Sequence, residues 1–189
     1  NHGEGEVRWY TERADWSRTG GTTVGRGNCC VGLEPGRPGQ EETLIELMEG
    51  VEDIPGTALY EGIEWGQWES FLEYMDYIGG REYAIDVAAQ IPHGAVRYYV
   101  MGERGRQNKD ATAEDIEAMA AIVGEAVAAG AVGFSTSRTI GHRSLWGTEG
   151  PGTFAPEEEL TAIADAMGKL GKGVFELIPA GTVGKLEHM

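Results

Sequence analysis

Only two of the 189 residues are cysteine, and they are adjacent at Cys29 and Cys30. Adjacent cysteines do not readily meet disulfide geometry, so a disulfide framework is excluded and reduced thiols in a cytoplasmic setting are expected. Basic residues are also scarce, 15 Lys plus Arg against 31 Asp plus Glu, for a formal charge of −16. The acidic residues are spread along the chain, which repels phosphates and argues against nucleic acid or an anionic membrane as partner. No long apolar run is present: the most apolar stretch, residues 118–134, is broken by Glu125 and several glycines. The first residues show neither the basic nor the apolar segment of a secretory signal. No GxGxxG or GxxxxGK[ST] turn occurs, which removes the usual marks of nucleotide binding. Glycine is plentiful, at 30 residues.

What is present is an alternation of short β-branched or apolar runs with longer periodic segments. Residues 22–24 read as a strand stopped by glycines, with Cys29 and Cys30 just beyond. Residues 42–49 read as a short helix, and residues 68–77 as a one-faced helix presenting Trp68, Phe71, Leu72 and Met75. Residues 84–91 read as the second strand. Thr112 caps a helix whose buried stripe is Ile116, Met119, Ala120, Val123 and Val127, and residues 131–135 form the third strand. Pro156 and three glutamates begin a helix carrying Leu160, Ile163, Ala164 and Met167, ended by Gly171, and residues 173–178 form the fourth strand. The pattern predicts one α/β domain over residues 1–189, with about four βα units of a parallel sheet, half the complement of a (β/α)8 barrel.

In parallel barrels the chemistry sits at the C-terminal ends of the strands. That filter selects Cys29, His93, Ser135, Ser137, Arg138 and Glu176. Cys29 is either a thiolate ligand for zinc or a small buried residue, and its glycine-rich loop favours close approach to an ion. Cys30 reads as a bystander. His93, between Pro92 and Gly94, either serves turn geometry or lines a site. Arg138, His142 and Arg143 either hold a substrate carboxylate or are solvated loop groups. A serine-hydrolase arrangement of Ser135 or Ser137 with His142 lacks the second glycine of a nucleophile elbow and a clear acid.

The segments GVEDIPGTALYEGIEW, AIDVAAQIPHGAVRYYVMGERG, ATAEDIEAM and AGAVGFSTSRT closely resemble the N-acyl-D-amino-acid deacylase (D-aminoacylase) branch of the amidohydrolase superfamily. So does Gly-Gly-Thr-Thr-Val followed by Gly-Asn-Cys, where Cys29 takes the position of the family's cysteine metal ligand and Cys30 replaces a glycine. The resemblance covers nearly the whole chain. It implies a partial metal-dependent barrel with zinc, as one or two divalent ions, and a small-molecule N-acyl amino acid substrate. It also implies metal ligation by His2, on the second His of an H-x-H motif whose first member would precede residue 1, and by Cys29.

The family's fifth-strand His is absent, and Glu176 is either the stand-in carboxylate ligand or an ordinary exposed Glu. His93, Ser135, Arg138 and His142 are the expected substrate-binding residues, and the general-base Asp is expected beyond residue 189. The remaining barrel and the small β-domain are expected outside this chain as well. The alternatives are a non-catalytic half-barrel, self-associating through its exposed edges, and an amidohydrolase of cyclic amides.

Overall fold

The computed structural model describes residues 20–180. Within them four strands form one sheet in the order β1-β2-β3-β4, every neighbouring pair parallel. They are β1 (Thr23–Arg26), β2 (Asp86–Pro92), β3 (Gly133–Ser137) and β4 (Val174–Ile178). Helices α1 (Glu41–Glu52), α2 (Gly56–Gly62) and α3 (Phe71–Gly79) lie between β1 and β2. α4 (His93–Met101), α5 (Glu103–Arg106) and α6 (Ala113–Ala129) separate β2 from β3, and α7 (Glu157–Leu170) separates β3 from β4. Four consecutive parallel strands with helical crossovers make a half-barrel of the (β/α)8 type, as the sequence predicted.

The core has two parts. Phe134 of β3 and Ile91 of β2 are fully buried against Tyr74 of α3, Met119 and Val123 of α6, and Ile163 and Met167 of α7. A second cluster joins Val31 and Leu33, just after β1, to Leu44, Met48 and Leu59 of α1 and α2 and to Ala95 and Tyr98 of α4. It anchors the loop that follows β1 to the helices beside it.

Two of the described helices start on reciprocal side-chain caps. Thr112 accepts from the Asp115 N–H while the Asp115 carboxylate takes the Thr112 N–H, a reciprocal cap that fixes α6. Ser70 and Glu73 do the same for α3. That cap corrects the expected helix at 68–77: Trp68 lies before it, and the buried face is Phe71, Tyr74 and Ile78, with Leu72 at 40% exposure. α2, α4 and α5 were not anticipated. α4 springs directly from the strand, so His93 is its first residue rather than part of a turn, and residues 93–98 are all buried. A helix buried on every side shows no amphipathic period, and Pro92 at its N-cap offers no side-chain cap. In α7 the buried residues are Glu159, Ile163 and Met167, whereas Leu160 is half-buried and Ala164 exposed.

β3 is buried along its whole length, while β4, at one edge of the sheet, leaves Val174 and Leu177 exposed. Among the described residues no helix is long and apolar enough to cross a membrane.

The closeness of β3 to β4 depends on glycine. A Cβ at Gly133 would lie 2.0 Å from the Val174 carbonyl oxygen, whereas one at Gly168, exposed in α7, would meet nothing within 4 Å. Gly133→Ala is expected to lower stability by at least about 2 kcal/mol through forced separation of the strands. Gly168→Ala is expected to raise it by up to about 1 kcal/mol. Urea unfolding of the two variants checks both signs.

Candidate functional site

The loop at 27–30 follows β1 and is shaped by backbone constraints. Gly27 has φ 78°, and a Cβ there would stand 2.2 Å from the Gln90 carbonyl oxygen, so only glycine fits. Cys29 (φ 62°) and Cys30 (φ 67°) are consecutive non-glycine residues in the left-handed region, a conformation costing about 1–3 kcal/mol each. Hydrogen bonds hold them there. Cys30 N–H donates to Ser135 Oγ at 3.2 Å, and Ser135 Oγ–H donates to the Gly27 carbonyl. Gly94 N–H donates to the Cys30 carbonyl at 3.1 Å, tying the loop to the start of α4.

Cys29 N–H donates to Glu176 Oε1 at 3.2 Å, which brings β4 to the loop after β1. Gln90, in β2, donates through Nε2 to Asn28 Oδ1 at 2.6 Å and to Glu176 Oε2 at 2.7 Å. His142 lies against the Cys29 backbone carbonyl. Burial lowers its pKa and that contact raises it, with burial prevailing, and its Nδ1 is buried with no hydrogen-bond partner. Cys29, Glu176, His142 and Ser135 therefore meet around one loop, together with Asn28, read only as part of the Gly-Asn-Cys motif, and Gln90, which the sequence reading passed over. An amide in a strand interior carries no local signal. Only the fold reveals it.

His93 and Arg138 are placed elsewhere. His93 is fully buried, its Nε2 2.8 Å from Glu159 Oε1 and its Nδ1 2.8 Å from Thr136 Oγ1. Arg97 Nε donates to the same Glu159 oxygen at 3.0 Å, and Arg97 Nη2 to the Lys109 carbonyl at 2.8 Å. Burial pushes the His93 pKa down against the pull of Glu159, so the ring is neutral, donating from Nε2 to Glu159 and accepting at Nδ1 from Thr136. Burial works to raise the Glu159 pKa, but His93 and Arg97 outweigh it and hold the carboxylate ionised. Arg138 donates through Nη1 to the Ala155 carbonyl and ends the β3–β4 ladder, its N–H donating to Ile178 O at 2.8 Å. Glu159 was read only as one of three acidic residues opening a helix; its burial is the feature that reading missed. Ser137 is also fully buried, and Arg143 pairs with Glu149 at 3.1 Å.

Neither cysteine is disulfide-bonded. Burial pushes the Cys30 thiol up to about 12, so it stays protonated and is a poor ligand, in keeping with a bystander. His2 lies outside the described residues. Among the described residues no three His, Cys, Asp or Glu side chains form a group able to hold a metal ion. The donors at the loop nonetheless suit a divalent cation in kind: a cysteine sulfur and a carboxylate belong to the zinc repertoire, and the unpartnered His142 Nδ1 and Gln90 Oε1 are buried close by. A groove of about 840 Å³ along α1 and α2, bordered by Glu42, Glu49, Tyr60 and Trp146, is lined by none of the predicted site residues.

No protein-family model matches the chain. Over 117 residues it is 32% identical to the D-aminoacylase of Alcaligenes xylosoxydans xylosoxydans, a match covering 62% of this chain and 21% of that protein. The chain is similar to part of a D-aminoacylase. A crystal structure of D-aminoacylase, described as defining a novel subset of amidohydrolases, superposes with a TM-score of 0.64 at 24% identity, covering 92% of this chain and 31% of that one. The N-acyl-D-glutamate deacylase of Bordetella bronchiseptica, solved with zinc and a phosphonate mimic of the tetrahedral intermediate, gives 0.62 at 23%, over 93% and 30%. The chain thus spans about a fifth of the curated relative and under a third of the structural neighbours.

The buried network sets the pH dependence of stability. Unfolded, His93 protonates below its ordinary value of 6.5, but in the folded chain it resists protonation, so stability present above that value falls as the pH drops through it. Glu159, held ionised in the folded chain below its ordinary 4.5, extends the loss to lower pH. Glu159→Gln is expected to cost about 3–5 kcal/mol, since it leaves Arg97 buried without its counter-charge. Denaturant titrations at about pH 7.5, about pH 5 and about pH 3.5 follow the His93 and Glu159 losses in turn, and the Glu159→Gln cost is read at about pH 7.5.

Proposed function

We propose that the full-length protein is a metal-dependent hydrolase of the amide bond in N-acyl-D-amino acids or related amides. The observation that carries this reading is the meeting of Cys29 and Glu176, brought together from β1 and β4 at the ends of the sheet. The likeness to D-aminoacylase supports it independently.

In this reading Cys29, Glu176 and His2 hold zinc, as one or two divalent ions. The bound ion supplies Lewis-acid polarisation of the amide carbonyl and a water that deprotonates near neutral pH. Glu176 enters already oriented, one carboxylate oxygen on the Cys29 N–H and the other on Gln90. Arg138, partly engaged with Ala155 at the end of β3, receives the substrate carboxylate, and His142, whose buried Nδ1 has no partner, presents an acceptor to the substrate beside the loop. His93 and Ser135 have no exposed surface. They act by fixing strand ends and the loop rather than by touching substrate. The carboxylate that moves the proton to the leaving amine, an Asp in this proposal, comes from beyond residue 189.

A second reading has a specific observation behind it. In it this stretch, standing alone, is a non-catalytic half-barrel whose parallel sheet, among the described residues, ends in the edge strands β1 and β4. Val174 and Leu177, exposed at the β4 edge, then favour its self-association.

The full-length protein is expected to release free D-amino acid from N-acyl-D-amino acids, to lose that activity to a chelator and to regain it with zinc. Cys29→Ser is expected to lower kcat/KM by at least about tenfold with the fold retained by circular dichroism. Hydrolysis indifferent to chelator and to Cys29→Ser would count against the metal assignment, and preferential cleavage of a cyclic amide would shift the substrate class.

A further inference from the structure

Gln90 lies in β2 and is 8% exposed. Its Nε2 meets two acceptors at once, Asn28 Oδ1 at 2.6 Å and Glu176 Oε2 at 2.7 Å. A flipped amide would set its oxygen against both of them, so the orientation is fixed by the partners. The consequence is that Gln90 Oε1 is buried with no hydrogen-bond partner. A buried polar group without a partner destabilises the fold, so Gln90 holds its two acceptors at a cost to that oxygen. The side chain directs both amide hydrogens to Asn28 and Glu176. With Cys29 N–H on Oε1, the two oxygens of Glu176 are gripped from two elements.

The choice of amide also matters electrostatically. A Lys or Arg in the same place would neutralise Glu176 and weaken its attraction for a cation, whereas a neutral N–H orients the carboxylate and leaves its charge intact. Fixing the carboxylate in advance removes the rotamer entropy it would otherwise lose on binding.

We infer that Gln90 is a positioning residue. Locked by Asn28, it holds the Glu176 carboxylate against the 27–30 loop in the orientation that binds a divalent ion. This inference rests on the assignment of Cys29 and Glu176 as ligands.

Cobalt(II) binding to the full-length protein tests it, with affinity read by chelator competition and cysteine ligation by the thiolate-to-cobalt charge-transfer band. The wild type is expected to show the band and Cys29→Ser to lose it. Gln90→Met, similar in size but without donors, is expected to keep the band and bind cobalt about 10–100-fold more weakly. Asn28→Ala, which unlocks Gln90 and gives up only the long Asn28 Nδ2 contact to the Gly25 carbonyl besides, is expected to weaken binding by a smaller factor, about 3–10-fold. Thermal unfolding in chelator separates folding from binding: a purely structural Gln90 would lower the melting temperature without moving the affinity. Gln90→Met within about twofold of wild type, with the band lost in Cys29→Ser, would overturn the inference while leaving the ligand assignment standing. A wild type with no band and no cobalt affinity would overturn the ligand assignment and the inference with it. If Gln90→Met does not fold, unchanged affinity in Asn28→Ala is the overturning result.

Discussion

Everything at the strand ends depends on the grip of Ser135 on the loop after β1. Its hydroxyl donates to the Gly27 carbonyl and accepts from Cys30 N–H, so one buried side chain on β3 closes both ends of a four-residue turn. The turn needs that hold because Cys29 and Cys30 both occupy left-handed backbone conformations that side-chain-bearing residues resist. With the loop held, Cys29 N–H faces Glu176 and the Cys29 carbonyl faces His142.

A second buried network braces β2 and β3 from the other face of the sheet. His93, the first residue of α4, joins Thr136 on β3 to Glu159 on α7, and Arg97 balances the Glu159 charge from the next turn of α4. Gly152 packs so closely on the His93 ring that a Cβ there would come within 2.6 Å of Nδ1. The same helix start reaches the loop through Gly94 N–H and the Cys30 carbonyl. The ionic network and the candidate site are therefore joined by adjacent residues, His93 and Gly94, which is how a residue with no exposed surface bears on the site.

Much of the architecture is legible in the sequence because its signals are local. The capping pair Thr112 and Asp115, the glycine stops and the β-branched run at β1 each report on their neighbours alone. So does the position of Glu176 within the last strand. What could not be read depends on distant partners. Leu72 fits a helical stripe but faces out, because the Ser70 cap and the packing of Tyr74 and Ile78 set the phase of α3. Glu159 looks like one of three solvated glutamates until α7 is docked against α4. His93, taken as a turn residue near substrate, is a helix start in the core, and Gln90 shows its role only when β1, β2 and β4 are assembled.

The central claim is that Cys29 and Glu176 share one bound ion. X-ray absorption at the zinc edge of the loaded full-length protein tests it most directly. The account predicts a sulfur scatterer in the first shell of the wild type that disappears in Cys29→Ser, and an oxygen and nitrogen shell that is altered in Glu176→Gln. A shell containing no sulfur, or one unchanged by both substitutions, would contradict it.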